Sequence, residues 1–126
     1  MDRKMDYVSE KDIILARFSG EVFLRSAIES AKAGVVLSQK TGCHNYVIDL
    51  SETIIKISFP EVILFLEGLW KMGFTSKDRV AFIINKEERD YTFWETAAVN
   101  RDWGRIGFFT SQEEAEKWIL MNRKKK

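Results

Sequence analysis

The sequence is poor in the residues that metal and disulfide chemistry require. Among 126 residues there is one Cys, one His and one Pro. A single Cys forms no intramolecular disulfide, and one Cys with one His falls short of a four-ligand zinc site. Neither sign of charge dominates: 20 Lys and Arg face 19 Asp and Glu, for a formal net charge of +1. So balanced a surface exerts no general pull on nucleic acid. Long apolar runs are missing too. The central stretch Val62–Leu66 holds five apolar residues, against the roughly 20 needed to cross a bilayer. Met1-Asp2-Arg3-Lys4 has no apolar run behind it of the kind a signal peptide carries. The expectation is a cytoplasmic protein without membrane insertion. Gly-rich phosphate loops of the Walker or dinucleotide type are also absent.

What is present is an ordinary globular mixture, 45% hydrophobic and 31% charged, in a chain long enough to bury one core. No repeat, linker or low-complexity block divides it. One domain over 1–126 is expected, with 1–4 and 122–126 as flexible tails. The run Arg123-Lys124-Lys125-Lys126 reads as a solvated tail.

Hydrophobic spacing alternates between the two secondary-structure periods. Met5–Val8 and Ile13–Phe18 read as a hairpin, with Ser19-Gly20 as the break after the second strand. From Glu21 the period lengthens. Leu24, Ala27, Ile28, Ala31 and Val35 share one helical face, Glu21 suits the positive end of its dipole, and Thr41-Gly42 is the stop. Tyr46–Leu50 is short and β-branched, like a buried strand. Val62, Phe65, Leu66 and Leu69 mark a second helix over 59–72, and Arg79–Ile84 a further strand. Phe93, Trp94, Ala97, Ala98 and Arg101 mark a third helix. Arg105–Phe109 is the last strand, and Ala115, Trp118 and Ile119 anchor a fourth helix. The order β-β-α-β-α-β-α-β-α predicts an α/β domain with a mixed, largely parallel five-stranded sheet and four helices.

Three helix starts match the capping box S/T-x-x-E: Ser58-Phe59-Pro60-Glu61, Thr92-Phe93-Trp94-Glu95 and Ser111-Gln112-Glu113-Glu114. In this device a hydroxyl accepts a bond from the third helical N–H, while the Glu reaches back to the N–H of the cap residue. Pro60 fits early in a helix, where no intrahelical partner is missed.

Ligands of open α/β sheets gather outside the carboxyl ends of parallel strands. Here those ends lead to Ser19-Gly20, Leu50–Ser58, Asn85–Asp90 and Thr110-Ser111. The second segment stands out, because Asp49-Leu50-Ser51 leaves a strand and Ser58 opens the next helix. The element order, the strand end Val47-Ile48-Asp49-Leu50-Ser51 and the following Ser58 resemble the STAS family of anti-sigma-factor antagonists, over roughly residues 5–121. In that family a strand ending in Asp-hydrophobic-Ser precedes an Asp-Ser-(Ser/Thr)-Gly loop. The Ser of that loop is phosphorylated by a kinase that is itself the anti-sigma factor. Ser58 falls on the phosphorylated position. The chain departs from the pattern on both sides, with Ile57 for the preceding acid and Phe59-Pro60 after it; the acceptor is kept while the surface read by the kinase changes. The closing segment Phe108–Ile119 is similar to a divergent, uncharacterised STAS-like branch that shares a fold class with CRAL-TRIO lipid-binding domains.

The resemblance implies a non-enzymatic protein-binding or regulatory module, with Ser58, Asp49 and Ser51 as phosphorylation or partner-contact residues. For Ser58 a plain N-cap role and a ligand contact stand beside the phosphosite. No catalytic constellation, metal site or cofactor is expected. Cys43-His44 are chain neighbours, which point to opposite faces when extended, and Asp49 has no second acid beside it. The helix over 59–72 carries more apolar residues than one face needs. Ile63, Leu64 and Trp70 lie off its main stripe, which suggests a second subunit, and hence a homodimer, or a small apolar ligand such as a lipid. A ligand carrier predicts a cavity of several hundred Å³, on the usual scale of such sites.

Overall fold

The computed structural model describes residues 2–75, 77–85 and 106–124. The elements are β1 (Asp2–Val8), β2 (Ile13–Val22), α1 (Leu24–Thr41), β3 (Asn45–Ile55), α2 (Phe59–Met72), β4 (Arg79–Ile83), β5 (Ile106–Phe109) and α3 (Gln112–Lys124). The five strands lie in chain order, β1-β2-β3-β4-β5. β1 runs antiparallel to β2, and every later pairing is parallel. This is the expected mixed α/β sheet, with three helices among the described residues. The helix expected around Phe93–Arg101 and its Thr92 capping box lie outside them.

β2, β3, β4 and β5 each feed two cores because side chains alternate across a pleated sheet. On one face Ile14, Tyr46, Val80 and Phe82 pack against Val35 of α1 and Val62, Leu66 and Leu69 of α2. On the other, Ile13, Val47, Ala81 and Ile83 meet Ala115 and Ile119 of α3. Both faces of β3 and β4 are therefore covered, which explains why Tyr46–Leu50 and Arg79–Ile84 read as continuous apolar runs rather than alternating ones.

Several boundaries differ from the sequence reading, each for a physical reason. The chain does not break at Ser19-Gly20. β2 continues to Val22 because Ser19, Gly20, Glu21 and Val22 pair with Glu52–Ile55 of β3, and Gly20 takes φ 88°, a conformation glycine tolerates within the ladder. Glu21 consequently sits in a strand rather than at a helix start. Its carboxylate lies 3.9 Å from Lys56 Nζ, and α1 begins three residues later after an extended Phe23 with no side-chain cap. β3 runs five residues past Leu50. At the amino end, Asp2–Lys4 form no flexible tail but pair with Ser19, Phe18 and Arg17. α3 extends to Lys124, past the expected start of the C-terminal tail at 122.

The close of α2 brings backbone tightly against α1. Gly73 has φ +116°, and a Cβ built there lies 2.8 Å from Val35 Cγ1 on α1. Gly73→Ala is expected to lower unfolding stability by about 1–3 kcal/mol, since it adds backbone strain to a steric overlap. Chemical denaturation monitored by circular dichroism reads this directly.

Candidate functional site

The carboxyl ends of β2 and β3 form a rim at which the sheet changes its pattern. Arg17 pairs with Asp49 but Ser19 pairs with Glu52, so β3 spends one residue more than β2 over this interval. That extra residue is a β-bulge at Leu50-Ser51. Asp49 holds it in place: its Oδ1 accepts the Ser51 N–H at 3.0 Å and the Ser51 hydroxyl at 2.6 Å. Thr53 Oγ1 completes the clamp by donating to Leu50 O at 2.6 Å. Asp49 and Ser51 are thus brought together, as partners in a backbone device.

Three residues separate the end of β3 from α2. Lys56 N–H donates to Val22 O at 2.8 Å, tying this connection to the end of β2. Ser58 then opens α2 with both halves of a capping box. Its N–H and its hydroxyl each donate to Glu61 Oε1 at 2.9 Å, and Glu61 N–H donates to Ser58 Oγ at 3.4 Å. The Ser58 backbone N–H, then its hydroxyl, hold the Glu61 carboxyl below its ordinary pKa. Such a depressed acid favours the fold at neutral pH, and that contribution is lost as pH falls through the carboxylate range. Ser58 itself is exposed. On its flanks Ile54 is 59% and Leu64 62% exposed, whereas Ile63 is half-buried. Trp70 lies on α2, and its side chain falls outside what the structure describes.

Beyond β5 the rim is closed by α3, on the opposite face from α1 and α2. Ser111 Oγ accepts the Glu114 N–H at 3.2 Å as the cap of this helix. Arg17 donates to Gln112 Oε1 at 3.0 Å, and Lys11 pairs with Glu116 at 2.8 Å, so α3 is fastened both to β2 and to the turn before it. These cross-links join residues far apart in sequence, and no local pattern announces them.

Cys43 and His44 part company. Cys43 is fully buried with its Sγ donating to Asp12 O at 3.2 Å, and burial pushes the thiol up to about 11. His44 bonds elsewhere. Its Nδ1 lies 2.8 Å from Asp78 Oδ1, and Asp78 Oδ2 accepts the Thr75 N–H at 2.7 Å. Asp78 is 7% exposed, so these bonds satisfy an otherwise isolated carboxylate. The sequence reading does not single out this cluster, although Thr75-x-x-Asp78 has the spacing of a side chain reaching back to a turn N–H. It sits at the amino ends of β3 and β4. Asp49 lies five positions along the strand, roughly 16 Å away at about 3.3 Å per residue. The two side chains start from separate positions, His44 just before β3 and Asp49 within it.

Between the sheet and α1 and α2 lies a cavity of about 80 Å³. Apolar side chains dominate its lining, among them Met5, Phe18, Ile48, Phe65 and Phe82, with Ser30 at one side. The volume falls well short of the several hundred Å³ expected for a lipid carrier. Among the described residues no group of three or more His, Cys, Asp or Glu is placed to hold a metal, and no helix is long and apolar enough to cross a membrane.

Comparison with known proteins adds a likeness of fold. No family model matches the sequence, and no curated protein matches it. Solved structures do. The anti-sigma factor antagonist SpoIIAA in its unphosphorylated form is 12% identical, with a TM-score of 0.55 over 94% of this chain and 98% of that one. The Bacillus cell fate determinant SpoIIAA in its phosphorylated form is likewise 12% identical, with a TM-score of 0.57 over 94% and 99%. The chain has a STAS-like fold. An uncharacterised DUF3478-family protein from Shewanella loihica with a SpoIIAA-like fold is 19% identical, with a TM-score of 0.57 over 94% of this chain and 92% of that one.

Three outcomes follow from the site chemistry. Asp49→Ala should cost about 1–3 kcal/mol by stranding the bulge donors, with Asp49→Asn recovering much of it through its remaining acceptor oxygen; urea unfolding compares them. Cys43 has a folded pKa of about 11 against an ordinary 9.0, and buried Tyr46 about 12 against 10.0. The folded state then holds protons that the unfolded chain releases, so stability should fall as pH rises from about 9 towards 12. In the folded protein at pH 8 the thiol should resist a disulfide reagent that titrates it fully in denaturant.

Proposed function

We propose that this protein is a non-enzymatic regulatory module that binds a partner protein through the rim spanning Asp49–Glu61, with Ser58 as its switch. The exposed hydroxyl of Ser58 at the start of α2 carries the reading. SpoIIAA, which shares the fold, exists in phosphorylated and unphosphorylated forms. The chemistry at Ser58 suits the same event. A phosphate brings nearly two negative charges to a helix N-terminus, where the dipole and free N–H groups favour it. It also arrives beside the Glu61 carboxylate, now 2.9 Å from the hydroxyl. Repulsion would expel Glu61 from the cap and hand the Ser58 N–H to the phosphate. Partner contact would then respond through changed charge on a rim whose neighbouring segments also expose Ile54 and Leu64.

The test is the phosphorylation state of Ser58 in cells, with partners cross-linked to the wild type, Ser58→Ala and Ser58→Asp. The expected result is phosphate on Ser58 and a partner set that differs between the Ala and Asp forms. Unmodified Ser58 with identical partners in all three proteins would remove the switch.

A second reading, a carrier or sensor of a small apolar ligand, is favoured by the apolar lining of the cavity. At about 80 Å³, the space is nearer to the roughly 150 Å³ that accepts benzene than to an acyl-chain tunnel. Native mass spectrometry of freshly purified protein should show a small bound species if this reading holds, and the bare chain mass if it does not.

A further inference from the structure

The sheet ends at β1, whose outer edge has no partner strand among the described residues. Such an edge is a template for another chain unless charge, proline or a bulge blocks it. β1 has no proline, and four of its seven residues, Asp2-Arg3-Lys4-Met5-Asp6-Tyr7-Val8, are charged. Taken alone, that charge reads as protection against pairing. Its order along the strand says otherwise.

A two-fold axis perpendicular to the sheet sets residues of the same face opposite one another, so self-pairing registers differ in steps of two residues. Centred on Lys4, the axis would oppose Lys4 to itself and Asp2 to Asp6. Centred on Asp6, it would oppose Asp6 to itself. Both place like charges face to face, which is destabilising. Centred on Met5, all seven residues overlap and every like-charge encounter disappears. Lys4 of each copy then faces Asp6 of the other, Arg3 faces the Tyr7 ring, and Met5 meets Met5. Lys4 and Asp6 are exposed, and neither side chain has an ion pair or hydrogen bond among the described residues. Two such cross-strand ion pairs would form, while the Arg3 guanidinium stays on its own protomer, donating to Ser30 of α1 at 3.2 Å.

We propose that the β1 edge is a homodimer interface: β1 of two copies pairs antiparallel about a two-fold axis at Met5, joining the two five-stranded sheets into one. The interface is isologous, as a two-fold requires. It is independent of the rim reading, and it differs from a dimer built on the α2 surface around Leu64.

Sedimentation or light scattering across a range of concentrations should show a dimer for the wild type. Lys4→Asp, an exposed change that leaves the protomer core alone, should weaken it about tenfold or more by turning both ion pairs repulsive. The double variant Lys4→Asp/Asp6→Lys should restore it. Met5→Cys should form a disulfide-linked dimer on mild oxidation, because its twin lies directly opposite. Asp2→Cys should not, its twin lying roughly 20 Å away along the ladder. The one native thiol, Cys43, is buried and does not interfere. A wild type monomeric throughout would overturn the proposal. So would a dimer dissolved by Leu64→Asp but untouched by Lys4→Asp, or an Asp2→Cys variant that cross-links as readily as Met5→Cys.

Discussion

The architecture depends on one carboxylate. By accepting both the N–H and the hydroxyl of Ser51, Asp49 secures an extra residue in β3, and that residue reverses the alternation of the strand. Before the bulge, Tyr46 and Ile48 face α1 and α2, opposite Ile14 and Ala16 of β2; after it, Thr53 and Ile55 hold the same face, opposite Gly20 and Val22. Without the bulge the second half of β3 would turn Ile55 outward and Ile54 inward, because a one-residue slip in a period of two exchanges the faces. Ile55 would then leave the apolar lining it shares with Val22, Ile48 and Leu50. The bulge also sets the direction in which the chain enters α2, and so the position of Ser58.

Much of this was legible in the sequence, and the exceptions share a cause. Helical stripes such as Val62, Leu66 and Leu69 and the buried strands around Val47 and Ala81 are local patterns, and each is found in the core it implied. The Ser58 capping box was legible for the same reason, since its three bonds link residues three apart. What the sequence concealed was decided by pairing at long range. Ser19-Gly20 looks like a break because its local chemistry favours one. It remains strand because Glu52 and Thr53 lie beside it. Asp2–Lys4 look like a loose end until Arg17–Ser19 are placed alongside. The extension of β3 past Leu50 and the link from Arg17 to Gln112, 95 residues away, are of this kind. Asp78 belongs here too, since its need for His44 appears only when two strand starts are adjacent.

The polar groups divide between the two ends of the sheet according to exposure. At the amino ends, Asp78 is buried and engaged by His44 and Thr75, and Cys43 is buried and neutral. Groups held this way give rigidity, because freeing any one of them leaves a desolvated partner behind. At the carboxyl ends, Ser58 and Glu61 bond in the open. A bond formed in water is exchanged for another at little net cost. A cap of this kind can be remade around a new group without disturbing the core beneath it, which is the property a switch requires. The same division explains why the rim, rather than the buried cluster at the amino end, is the place where a modification could act.

The edge and the rim are compatible because of the direction of the strands. A two-fold perpendicular to the sheet reverses strand polarity from one copy to the next, so a β1–β1 pairing would point the two carboxyl rims in opposite directions. Neither rim is covered by the partner copy, since β1 contributes its backbone edge while the rim is made from the ends of β2 and β3 and the start of α2. A partner protein seated at Ser58 of one copy would not meet its counterpart on the other. Two binding events would then be sterically independent while sharing one continuous sheet. Any coupling between them through the sheet would have to pass along β2, the strand that pairs with both β1 and the bulged β3.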